Sequence, residues 1–183
     1  MAALSLAAAH AQSPDFKNIG RAPSADEIRS WDTTVGIAGK ELPPGKGTAK
    51  EGAALYAKQC AGCHGASLEG SRRTGPPLVG GKGSLTTATP IRSIGAFWPY
   101  ATTLWDYINR AMPRGKEGSL QPDEVYALSA FIFFKNDIIK EDQVLDEKSL
   151  PKIQMPNRNN FIPQRLEDIP DWKKRNCRLG ICP

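Results

Sequence analysis

The chain has 183 residues, 40% of them apolar and 8% aromatic, and a formal charge of +5. That is room for one domain with extensions. The charge is too small and too evenly spread for a nucleic-acid footprint. No stretch reaches the roughly 18 apolar residues of a membrane span.

Taken in chain order, residues 1–12 read as the remnant of a signal peptide: a short apolar run ends in Ala-His-Ala before Gln12. The alternative is an Ala-rich helix of the mature protein. Cleavage implies a soluble protein exported to the periplasm. Residues 13–47 form an N-terminal arm rich in Pro, Gly and charge, with one short helix predicted over Ser24–Trp31. Ser24 caps that helix and Glu27 follows three residues later. Thr48 and Glu51 repeat the capping box and open a helix from Ala49 to about Cys60.

Residues 65–97 are glycine-rich, show no helical period and are predicted to be loop. A second main helix fits Pro99–Ala111, with Leu104, Ile108 and Ala111 on one face and Pro113 and Gly115 stopping it. A third fits Pro122–Asn136: Pro122 suits the first turn and Asp123 and Glu124 favour the positive end of the dipole. Val125, Leu128, Phe131 and Ile132 make its apolar side. Residues 137–183 read as a tail wrapping the domain of residues 48–136. No strand pattern emerges, and the predicted class is all-α.

The chemistry lies in Cys60-Ala61-Gly62-Cys63-His64. C-x-x-C-H is the attachment signature of c-type haem. One helical turn presents both thiols to one edge of the porphyrin, and the adjacent His64 is set under the iron as a ligand. A thioredoxin-like redox pair would follow a strand, and none precedes this motif. A zinc site needs a second ligand pair, and Cys177 and Cys182 have the wrong spacing for it.

The chain around this motif resembles a class I cytochrome c. Gly52 and Tyr56 stand eight and four residues before Cys60, where that family crosses its terminal helices, and Leu128-x-x-Phe131 supplies the facing pattern. The resemblance implies three main helices around one covalent haem c, with the arm and tail added. It also implies that a carbonyl in Thr74-Gly75-Pro76-Pro77-Leu78 accepts the Nδ1–H of His64. Pro76 aligns best and Pro77 second. The family's distal ligand follows the middle helix, where Met112 lies 48 residues after His64. Met155, in the tail, is the alternative.

The stretch Phe97-Trp98-Pro99-Tyr100 through Met112-Pro113 is more specific, as are Val144-Leu145-Asp146 and Met155-Pro156-Asn157-Arg158. These resemble the cytochrome subunits of bacterial sulfane and sulfite dehydrogenases, the SoxD-like group. The resemblance implies a protein that is no enzyme by itself. It would take single electrons from a molybdenum-cofactor subunit and pass them to a downstream cytochrome or oxidase. Two other readings stay open: a free shuttle with no dedicated partner, or a haem enzyme acting on thiosulfate or peroxide at its own iron. Arg72, Arg73 and Arg114 are candidates to orient an acidic partner. In an oxidising compartment Cys177 and Cys182 are predicted to close a disulfide, Gly180 giving the backbone freedom. Sulfur-carrying thiols and an intermolecular bridge are the alternatives.

Overall fold

The computed structural model describes residues 19–71 and 73–161. The predicted signal remnant, Arg72 and the Cys177–Cys182 pair lie outside them. The chain divides into two compact units, one ending at Thr33 and one beginning at Thr34.

In the first unit α1 spans Ala25–Trp31. Ser24 Oγ accepts the Glu27 N–H and the Glu27 carboxylate accepts the Ser24 N–H, so the predicted capping box forms. The Arg21 guanidinium bonded to Glu27 holds that carboxyl down at about 2, with the Ser24 N–H helping.

The second unit begins with a short strand, β1 (Lys46–Gly47), and continues into α2 (Ala49–Gln59), α3 (Ala61–His64) and α4 (Ile94–Phe97). Then come α5 (Ala101–Ala111), α6 (Pro122–Lys135) and β2 (Leu145–Asp146). The three predicted main helices are α2, α5 and α6. The second starts later than predicted because Tyr100 is itself extended and becomes the cap; Trp98, preceding Pro99, is also driven to extended backbone. The same restriction ends α4, a single turn inside the predicted loop and too short to show a period. β1 and β2 pair antiparallel, Lys46 opposite Asp146. Strands of two residues carry no alternation, so none was legible.

The core is a helix crossing. A β-carbon on Gly52 of α2 would lie 2.6 Å from the Ala127 carbonyl carbon and 2.8 Å from Phe131 Cβ on α6. Only glycine lets the backbones approach so closely. Beside the crossing the Tyr56 and Phe131 rings sit 5.2 Å apart between centroids. Val125, Leu128, Ile132 and Phe133 bury the rest of α6.

Residues 34–47 pack on this body. The Val35 N–H donates to Asp106 Oδ1 at 2.9 Å, and Tyr126 donates from its hydroxyl to the Pro43 carbonyl at 2.9 Å. After α6 the chain also returns to the core, burying Leu145, Leu150, Ile153 and Met155. The result is the predicted all-α class, three main helices with one short strand pair.

Candidate haem-binding site

Cys60 caps both α2 and α3, and its carbonyl accepts the His64 N–H at 2.9 Å. This turn puts two thiols and one imidazole on a single short helix. Both thiols are free; Cys60 is partly buried and Cys63 exposed. Burial pushes the Cys60 thiol up to about 11, with Cys63 beside it adding to the rise. A redox-active pair needs a thiolate of depressed pKa, so Cys60 is poorly suited to disulfide exchange.

The loop after His64 is tied to the motif at several points. Gly65, at φ +82°, reverses the chain, and its carbonyl accepts the Tyr56 hydroxyl at 2.7 Å. That phenol is pushed up to about 12, chiefly by burial. Thr74 donates from its hydroxyl to the Cys63 carbonyl at 2.8 Å. The Ser71 N–H donates to the Gly75 carbonyl at 2.7 Å, closing a tight bridge.

Pro76 then presents its carbonyl 2.9 Å from His64 Nδ1; Pro77 makes no such contact. A carbonyl can only accept, so Nδ1 carries the proton and Nε2 keeps the lone pair a metal needs. A β-carbon on Gly75 would lie 3.0 Å from His64 Cε1 and Nδ1, so glycine leaves room for the ring.

Sequence reasoning missed what holds this loop. Asn136, the C-cap of α6, donates from Nδ2 to the Leu78 carbonyl at 3.0 Å and to the Ile132 carbonyl at 2.8 Å. The Leu78 N–H donates to Leu68, a buried residue at positive φ. The end of α6 therefore holds the segment that carries Pro76.

Met112 caps α5 and is partly buried against the apolar core, alongside Cys60, Leu78, Trp98 and Phe134. Met155 is 3% exposed and enclosed by that core. Asp106, one turn and a half before Met112, accepts from Arg110 Nε at 2.8 Å as well as from Val35. Burial raises its carboxyl, but the Arg110 and Val35 hydrogen bonds outweigh that and hold it below the usual carboxylate range.

These residues fit a covalently held haem. Two unpaired thiols share a turn with an imidazole whose Nε2 is available, and partly buried apolar side chains stand beside them. The family model described as cytochrome c oxidase, cbb3-type, subunit III matches residues 47–132. The chain is also similar to the crystal structure of the sulfane dehydrogenase SoxCD from Paracoccus pantotrophus. The two are 37% identical, with 91% of this chain and 83% of that chain covered and a TM-score of 0.76. This chain belongs to the class I c-type cytochromes of the SoxD-like group.

The cytochrome binds haem c covalently and is an electron-transfer protein. A second structure, the thiosulfate dehydrogenase TsdBA from Marichromatium purpuratum, is 34% identical to it. That match covers 47% of the cytochrome and 17% of that chain, with a TM-score of 0.37. No curated protein gives a significant match. Among the described residues of the cytochrome, no helix is long and apolar enough to cross a membrane.

Proposed function

We propose that this cytochrome is a periplasmic electron-transfer subunit that accepts single electrons from a sulfur-oxidising dehydrogenase. The donor is a molybdenum-cofactor subunit acting on sulfite or sulfane sulfur, and the electrons pass on to a cytochrome or oxidase of the respiratory chain. The observation that carries this reading is the likeness, over most of both chains, to a chain of a sulfane dehydrogenase. The molybdenum cofactor follows from the family resemblance. Export follows from the Ala-rich start ending at Ala-His-Ala.

Haem supplies an iron that gains and loses one electron. The chain's residues make that exchange easy. Cys60 and Cys63 would anchor the porphyrin, and His64 would hold the iron through Nε2. The Pro76 carbonyl fixes the ring and increases its basicity through Nδ1–H. Met112 would supply a second, soft thioether ligand, which would raise the potential. Met155 is a core residue, as its burial indicates. With His64 and Met112 both holding the iron, little would rearrange on electron transfer.

Cys63 is exposed, so a haem attached to it would have that edge near the surface, where electrons would enter. Arg73 and Arg114 are exposed and can orient an acidic partner. Cys177 and Cys182 close a disulfide after export; two alkyl groups on the tail peptide of the unreduced protein would refute that.

Purification from native periplasm tests the central reading. The cytochrome should co-purify with a molybdopterin protein, and sulfite or a sulfane donor should reduce its haem. Purification alone, with reduction by neither, would make it a free shuttle.

A further inference from the structure

The segment Met155-Pro156-Asn157-Arg158 has no part in the His64 site, yet it is rigidly built. Met155 is buried and its carbonyl accepts the Arg158 N–H at 3.1 Å. Asn157, 7% exposed, donates from Nδ2 to the Phe97 carbonyl at 2.8 Å, and its Oδ1 accepts from Asn160 at 2.9 Å. This turn fixes Arg158 against the start of α5, with the guanidinium 5.3 Å from the centroid of the Tyr100 ring.

Arg158 is partly buried. Among the described residues the ion pairs are Arg21–Glu27, Arg29–Asp26 and Arg110–Asp106, and no carboxylate pairs with Arg158. Arg92 also lies over a ring, 5.7 Å from the centroid of Phe97, but it is exposed and water can serve it. A guanidinium set over an aromatic face still directs its planar fork of N–H groups outward, in the geometry that grips a carboxylate. Withdrawn from water, it costs free energy until an anion meets it.

The group this chain binds brings carboxylates of its own, the haem propionates. Trp98, two residues before Tyr100, is partly buried against the domain core, as Cys60 and Met112 are. The helix that Tyr100 opens, α5, ends at its cap Met112, so one element joins the Tyr100–Arg158 pair to the haem site.

We propose that Arg158 pairs with a haem propionate, and that Tyr100 is the platform holding its guanidinium. Among the described residues no carboxylate meets this fixed, partly desolvated cation.

The test is infrared redox-difference spectroscopy on the full, haem-loaded chain, with haem carbon-13-labelled at the propionate carboxylates. No partner protein is needed, so the result is independent of the dehydrogenase reading. Arg158→Gln should shift the label-sensitive carboxylate band. Arg158→Lys, which keeps the charge but loses the fork, should shift it less and in the same direction. A label-sensitive band in Arg158→Gln that coincides with wild type overturns the proposal. If Arg158→Gln fails to load haem, an unmoved band in Arg158→Lys does the same. An unmoved band accompanied by a weaker salt dependence of electron transfer from an acidic donor protein also overturns it, and assigns Arg158 to a partner's carboxylate.

Discussion

Asn136 holds Leu78: its side-chain amide donates to the Leu78 carbonyl at 3.0 Å, two residues beyond the carbonyl that faces His64. The last residue of the α6 cap thus stabilises the orientation of an imidazole far away in sequence. Asn136 is a positioning residue, because it acts on His64 only through the loop. Asn136→Ala should cost about 1 kcal/mol of stability, the usual net worth of such a bond. It should also raise the reduction potential or broaden the haem signals, because a loosened His64–Pro76 bond makes the imidazole a weaker donor to ferric iron. Protein-film voltammetry reads the first effect. A potential identical to wild type, with only stability lost, would leave Asn136 a purely structural cap.

The α2–α6 crossing tolerates no side chain at Gly52. Gly52→Ala should destabilise the fold by about 3 kcal/mol or more, since the obstacle is the α6 backbone at Ala127, which cannot swing away. Chemical denaturation of the haem-loaded protein measures this. A loss under ~0.5 kcal/mol would mean that the helices separate easily, contrary to the geometry described.

Asp106 gives a pH prediction. Its folded pKa lies below the ordinary carboxylate value, so its contribution is fully present above the unfolded pKa of about 3.9. The contribution disappears as pH falls through the lower, folded value. Asp106→Asn should therefore be about 1–2 kcal/mol less stable than wild type at neutral pH. The gap should close in strong acid. A gap that stays constant from neutral pH into strong acid would assign the loss to packing and not to the Arg110 and Val35 contacts.

Much of the local structure was legible because it is local. Ser24 with Glu27, and Thr48 with Glu51, announce helix starts through contacts three residues apart, and both boxes form. The placement of Gly52 and Tyr56 before Cys60 foreshadowed the crossing with α6, because a close approach demands glycine. The supports of the haem site were hidden for the opposite reason. Asn136 meets Leu78 across 58 residues, and Asp106 meets Val35 across 71. A single long-range hydrogen bond leaves no period and no motif. The α4 turn and the β1–β2 pair were missed because one helical turn or two strand residues are too short to show a pattern.

The proposed ligand role separates Met112 from Met155. Met112→Ala should abolish the near-infrared sulfur-to-iron band of the ferric protein. Met155→Ala should keep it while costing ~2–5 kcal/mol for the cavity left in the core. Loss of the band in Met155→Ala and its survival in Met112→Ala would reverse the two roles.

An iron held between His64 and Met112, as proposed, would carry electrons and leave no position open to a substrate. The absorption spectrum of the reduced, full-length cytochrome, recorded with and without carbon monoxide, tests this most directly. Ligation by His64 and Met112 predicts superimposable spectra at neutral pH. A Soret band that shifts promptly on adding carbon monoxide would reveal an open or labile position, and would contradict the electron-carrier reading in favour of a haem enzyme.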